Sequence, residues 1–364
     1  MSTYEKGRVT AVRGRGPGIA EADLELESGS SGPAMVLEGL VGPVEPGDEV
    51  IANTTAVELG LGSGGFHFVL WNLSRASLAI PSAGHIMKLR YTPLQFNVEA
   101  VEEKAQVADD TGLELGRVLE GIPVVAGSLH SQLLPVVLAY REARPSGRIV
   151  YIMTDGGSLP LAFSDTVRQL KRDGCIGAAI TCGHAFGGDH EAVNIYGALA
   201  AARRVCQADA VVAVMGPGIV GTGSALGFSG MEQAVVSNAT ASLGGTPIVI
   251  PRITFGDARE RHRGLSHHTL SVLHCVLARA LVGIPEMGGD RGVQVRAQLK
   301  EARIGETHDV RTVDARAVID LIDGYGYPIT VMGRTTEEEP EFFMAAGAAG
   351  LLAATIGGDR DWAR

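Results

Sequence analysis

Two hydrophobic rhythms divide the chain. Over the first ninety residues, short β-type runs at 7–12, 23–27, 34–40, 49–53 and 66–72 alternate with turn chemistry such as Gly32-Pro33 and Glu45-Pro46-Gly47-Asp48. Residues 22–27, Ala-Asp-Leu-Glu-Leu-Glu, alternate strictly, so one face of that strand meets solvent. Close spacing with turns between predicts a small antiparallel β unit, closed as a barrel. From residue 121 the rhythm changes. Apolar runs at 122–126, 149–153, 177–181, 210–215, 247–253 and 280–284 read as strands buried on both faces, and helical stretches separate them. Strands alternating with helices imply a parallel sheet with right-handed crossovers.

The expected fold is therefore α/β: a Rossmann-like parallel three-layer domain at 121–364, a linker and helix at 91–120, and a small β-barrel-like domain at 1–90. A helix is expected at 98–119, broken by DDTGLEL. Segment 81–94, with His85, Lys88, Arg90 and Tyr91, reads as a solvated strand or as a linker turning basic groups toward an anionic ligand. Near the end, 287–303 reads as a helix, 308–313 and 329–332 as strands around a helix at 315–323. Thr335 and Thr336 ahead of Glu337-Glu338-Glu339 read as an N-cap with acid in the first turn of a helix to about 356.

Composition narrows the partners. A chain of 364 residues, 45% hydrophobic and 20% charged, is globular, and a net charge of −10 argues against a nucleic-acid backbone as partner. Cys175, Cys182, Cys206 and Cys275 form no C-x-x-C pair and sit in or beside apolar segments, as reduced cytoplasmic thiols do. The opening MSTYEKGRVTAVRGRG has no apolar leader, and the apolar stretch at 342–356 is too short to span a bilayer. These features predict a cytoplasmic protein without membrane or nucleic-acid partners, with a homo-oligomer as the default state.

Candidate chemistry gathers where strands end, which is where open parallel sheets bind ligands. The run at 209–230, DAVVAVMGPGIVGTGSALGFSG, leads from a strand into a glycine loop whose amides could meet a ligand. Gly216, Gly218, Gly221, Thr222 and Gly223 are its candidate binding residues. A tight strand–helix connection is the plain alternative. The dinucleotide fingerprint is matched only formally by GPGIVG, since proline fills the first variable place and no acidic residue follows about 20 positions on. No P-loop, no G-x-S-x-G ahead of a helix and no H-E-x-x-H occurs. His130 follows the first strand of the sheet, and Asp155 with Gly156 and Gly157 follows the second. Asp189 comes after the third, and RERHRGLSHHT after the fifth. In that last loop Arg261 and Arg263 suit a carboxylate or phosphate, with His262 beside them. Ser266 would cap a helix whose positive end keeps His267 and His268 neutral. Adjacent histidines point about 100° apart on a helix, so the pair alone fixes no metal. The expected ligand-binding set is His130, Gly156, Gly157, the glycine-loop residues, Arg261, His262, Arg263 and Ser266. The expected acid–base set is Asp155, Asp189, His267 and His268, with a divalent metal as an open possibility.

The segments YTPLQ at 91–95, YIMTDGGSLPLAFS at 151–164, HAFGGD at 184–189, MGPGIVGTGSALGFSG at 215–230 and RHRGLSHHT at 261–269 resemble the bacterial DUF3866 family. The likeness extends over most of the chain, including the GDEV and ELGLGSGG stretches of the N-terminal β module. It implies that these loops act as one unit and brings no activity, cofactor or catalytic residue with it. The function expected is a hydrolase or transferase acting on a small anionic metabolite at the strand-end loops. The alternatives are a non-enzymatic ligand-binding or sensory protein, and loops that serve a homo-oligomer interface.

Overall fold

The computed structural model describes residues 2–62, 64–104 and 114–356. The chain divides into two compact units, Met1–Glu99 and Ala100–Arg364.

The first unit is a closed barrel of β1 (Tyr4–Gly16), β2 (Ile19–Leu26), β3 (Ser31–Leu37), β4 (Glu49–Asn53) and β5 (His67–Asn72), in the order β1-β2-β3-β5-β4. Ala20, Ala22, Leu24 and Leu26 of β2 alternate inward and pack with Val9, Val36 and Val50. Irregularities in the β1–β2 register between Val9 and Ala11 and between Gly14 and Gly16 let the long first strand bend. The pairing is not purely antiparallel, because β3 runs parallel to β5. Five strands cannot alternate direction all the way round a closed ring, so one pair must run parallel. The result is a Greek-key barrel of the OB type, a fold that by itself assigns no function. A hairpin of β6 (Ile86–Lys88) and β7 (Phe96–Val98) follows. Lys88 is buried and Tyr91, in the turn, is almost fully exposed.

The second unit holds β8 (Pro123–Ala126), β9 (Ile149–Thr154), β10 (Ala178–Cys182), β11 (His190–Ala192), β12 (Ala210–Met215), β13 (Thr246–Val249), β14 (Ile253–Thr254), β15 (Gly264–Leu265), β16 (Leu281–Pro285) and β17 (Asp309–Val313). Eight of them form one all-parallel sheet in the order β11-β10-β9-β12-β8-β13-β16-β17, and β14 pairs with β15 apart from it. The central strands are buried along their whole length, as their unbroken apolar runs require. Helices Leu133–Ala143, Asp165–Arg172, Ala317–Tyr325 and Pro340–Ile356 cover one face through Val125, Tyr151, Val212 and Ile248. Helices Ile195–Arg204, Glu232–Ser242, His267–Cys275 and Gly289–Glu301 cover the other through Val124, Ile152, Val211, Val249 and Val282.

Three sequence expectations give way. In place of a helix over 98–119 the described residues show only short 3-10 turns, Val101–Glu103 and Leu115–Arg117, while 105–113 lie outside the described residues. The run 329–332 is no strand. It makes a single bridge, Val331 to Arg334, while Val331 and Ile329 are taken up by the core beneath it and Met332 is exposed. The last helix begins at Pro340 rather than in the acidic run, because Glu339 turns inward and is fully buried. None of the described helices is long and apolar enough to cross a membrane.

Candidate functional site

The sheet reverses its direction of growth at β8. From β8 the chain passes to the helix Leu133–Ala143 on one face, and from its neighbour β12 to the helix Glu232–Ser242 on the other. Such a switch opens a crevice above the carboxyl ends of the two strands. Gln233 braces it: its buried amide donates to Ala126 O at 2.6 Å and to Ile250 O at 2.9 Å, fixing the helix start over β8 and the exit from β13.

His130 stands at this switch but is fully committed. Its Nδ1 lies 3.0 Å from Met215 O and its Nε2 2.7 Å from Ser164 Oγ. A carbonyl only accepts, so Nδ1 carries the proton and the Ser164 hydroxyl donates to Nε2 while capping Val167 N at 3.0 Å. Burial lowers the imidazole to about 4, against a small opposing effect of the Met215 carbonyl, so the ring is neutral. Asp155 accepts from Ser158 N at 3.2 Å and His184 N at 2.8 Å. Gly183 makes room for it, with φ of +63° and a position where a Cβ would lie 2.5 Å from Asp155 Oδ2. Beside it Glu232, half-buried, meets Thr154 Oγ1 at 2.6 Å, and desolvation raises its carboxyl. Nothing in the sequence pattern singled out Glu232 or Ser164.

The glycine run divides between packing and an exposed hairpin. Gly216 packs against Met153 and Leu159, and Gly156 against Met215, so both let neighbouring strand ends close on each other. Gly218 has φ of +128°, and beyond it 221–227 form an exposed hairpin. There Thr222 N bonds Gly227 O at 2.7 Å, Thr222 Oγ1 meets Ser224 Oγ, and Gly221 bridges to Phe228, while Gly223 faces open space. Gly157 likewise stands free of close packing. Asp189 is elsewhere altogether. It bonds Ala179 N at 2.8 Å and pairs with Lys171, which puts it at the amino end of β10. The chain there has already run back to begin β11, so following β10 in sequence did not mean lying at its carboxyl end.

The loop from β13 does bring its residues together. It runs through Arg252 into β14, turns at 260–262, returns as β15 and enters the helix His267–Cys275 at Ser266. Ser266 Oγ accepts from His268 N at 3.3 Å, as the sequence predicts for a cap, and bonds His262 Nδ1 at 2.8 Å. That return lays His262 over the first turn of the helix. The rings of His262, His267 and His268 have centroids 4.3 to 4.9 Å apart, and one ligand atom from each lies within 4.8 Å of the other two. His267 Nε2 and His268 Nε2 are buried and make no hydrogen bond. Phe228, at the end of the glycine hairpin, stacks on His268 at 3.6 Å and 7°. Burial is the first cause that keeps all three rings uncharged, and nearby arginines add to it; the neighbouring imidazoles add to it at His262 and His268, which fall to about 4 and about 3, and Asp257 opposes it at His262.

A charged shell adjoins them. Buried Arg252 is braced through its backbone to Thr269 Oγ1 and Ser266 N, the residues flanking the histidine pair. Its guanidinium reaches Asp257 at 3.2 Å, and burial lowers it to about 10. Asp257 also takes Arg259, whose hydrogen bonds hold its carboxyl well below the usual range. Arg261 is exposed, with its charge acting on His267; Arg263 is exposed, and its carbonyl accepts from Gln294 and Gln298. Phe228, Arg252 and Arg334 have no signal in the sequence, and Glu339 reads there only as a helix-start acid, since it is the fold that brings Phe228 and Arg252 to the histidines and sets Arg334 and Glu339 acting on Arg252. A cleft of about 650 Å³ lined by Glu114, Arg117, Glu120, Arg203 and Arg204 lies at the amino end of the sheet, and its charges pair with one another.

Three neutral imidazoles, two of them with a buried unpaired nitrogen and one ligand atom of each within 4.8 Å of the others, are a set that can hold a divalent ion with a position left open; the Arg252 guanidinium beside them can hold an anion. A family model described as "Protein of unknown function (DUF3866)" matches residues 33–350. No curated protein matches the chain. The chain belongs to the DUF3866 family.

Proposed function

Taking membership of that family as the starting point, we propose that the protein is an enzyme that carries a divalent metal on His262, His267 and His268. Its reaction is hydrolysis of, or group transfer from, a small anionic metabolite. The observation that carries this reading is the convergence of three histidine nitrogens within 4.8 Å, two of them buried without a partner. A buried polar atom left unpaired is costly, and ligation would satisfy both at once. His262 engages Ser266 through Nδ1, which leaves Nε2 for the metal and fixes the ring, as outer-shell partners of zinc ligands do. Nitrogens on a tetrahedral zinc sit about 3.4 Å apart, so the three atoms, now within 4.8 Å of one another, would draw closer on binding. Bound there, such an ion would supply a Lewis acid and a water acidic enough to ionise near neutral pH. The surrounding arginines favour an anionic substrate, and the free cysteines suit the cytoplasm.

A second reading, binding without turnover, draws on the engagement of Asp155 and Asp189 in other hydrogen bonds. The exposed Val220 and Leu226 of the glycine hairpin favour that hairpin as a contact between subunits. The deciding experiment is zinc titration of chelator-treated protein by calorimetry, with cobalt(II) absorption as a report on coordination. One ion per chain, a tetrahedral cobalt spectrum and loss of both in folded His267→Ala and His268→Ala variants are expected. A folded wild-type chain that takes up no ion would refute the metal enzyme.

A further inference from the structure

Two guanidinium groups, Arg252 beside the histidine turn and Arg334 whose charge acts on Arg252, are only half used. Arg252, 3% exposed in its side chain, gives Nη2 to Asp257, but its Nε is buried with no partner. Arg334 gives Nε to Glu339 at 2.8 Å, and its Nη2 is buried with no partner. Their carboxylates are saturated. Asp257 serves Arg252 and both the backbone and side chain of Arg259. Glu339, fully buried, accepts from Thr254 Oγ1, Phe255 N, Gly256 N and Arg334. Arg252, Arg259 and Arg334 thus face Asp257 and Glu339, three positive charges against two negative. The charges of Arg334 and Glu339 act on Arg252, and that of Arg252 on all three histidines. A buried guanidinium with an idle donor and an unbalanced charge is expensive unless something anionic completes it.

We infer that Arg252 and Arg334 form an oxyanion subsite, taking the carboxylate or phosphate group of the substrate beside the three-histidine centre. The subsite rests on the proposed metal reading only for its role in positioning a substrate; its own donors are independent of any ion. Two N–H groups on separate guanidiniums suit an oxygen pair on one anionic group. Arg252 is the better anchored of the two, since its backbone is tied to the turn that carries His267 and His268. Arg261 and Arg263, the arginines that the sequence offers for this task, stand at the surface instead.

The test titrates inorganic phosphate and acetate into the full-length chain by calorimetry and thermal shift, once with zinc and once with chelator. Saturable binding of at least one probe is expected. Arg252→Lys and Arg334→Lys, each checked for folding by circular dichroism, should weaken it about tenfold or more, the worth of a charge-assisted hydrogen bond. Arg316→Lys, at an exposed arginine paired with Asp314, should leave it unchanged. If Arg252→Lys does not fold, Arg334→Lys decides. The subsite is overturned if neither probe binds the wild type, or if the folded variants bind as the wild type does. Anion binding that persists with chelator in a chain that takes no zinc would sink the metal reading and keep the subsite. Zinc uptake without anion binding would do the reverse.

Discussion

His268, stacked on Phe228, is buried and crowded by two other imidazoles, and burial first and the neighbouring rings second disfavour its charged form. His262 and His130 are depressed too, all to about 3 or 4, against an unperturbed value of about 6.5. The sign follows from the protons bound. Above about pH 6.5 these rings are neutral in both the folded and unfolded chain and cost nothing. Below it the unfolded chain takes up protons that the folded one refuses, so stability falls as pH drops toward 4. Glu232, raised by burial, works in the opposite direction. Metal-free protein should therefore lose urea resistance between pH 7 and 5, a range where most carboxylates stay ionised. His268→Phe, which keeps an aromatic ring on Phe228, should flatten the slope. Urea midpoints of both proteins at pH 7, 6 and 5 measure it, and equal slopes would remove His268 from the account.

At the scale of elements, the carboxyl ends of β9 and β12 are held close by glycine. A Cβ on Gly156 would lie 2.9 Å from Met215 Cβ, and the Met215 methyl would be in the way as well. Gly156→Ala should cost about 1–3 kcal/mol, as overpacking at a tight contact does. The drop should show in thermal unfolding, and an unchanged melting temperature would mean the strand ends yield easily. This use of Gly156 was hidden in the sequence, where glycine at a strand end reads equally as a ligand approach. Strands β8, β9, β10, β12, β13 and β16 were legible because burial on both faces leaves unbroken apolar runs. β11 was not, since His-Glu-Ala is a three-residue edge strand with no such run. The run at 329–332 misled for the converse reason: Val331 is buried under the helices without joining the sheet. Ser266 was read correctly as a cap because capping is local, whereas the meeting of His262 with His267 and His268 needs the whole return from β14 to β15.

At the scale of the molecule, the site is assembled from one unit. The histidines, Phe228, Arg252, Asp257, Arg334 and Glu339 all lie beyond residue 200, and Gln233 ties their supports to the sheet. The loop that holds the histidine pair was visible in the sequence as a cluster of unusual residues, but its arginine partners come from an ordinary strand exit and from the approach to the last helix. The core clusters under this site draw on residues from Val101 onward, and the barrel encloses a separate cluster of its own. A domain with its own core, which supplies all three of the candidate ligands found among the described residues, should function without its neighbour. A fragment of residues 100–364 is therefore expected to unfold in one cooperative transition. It should bind zinc within about twofold of the full chain, the agreement that independent parts give. Circular dichroism and calorimetry on the fragment test both. If the fragment is folded but its zinc affinity has collapsed, the centre needs the N-terminal barrel, and its ligand set must be completed from the first 99 residues.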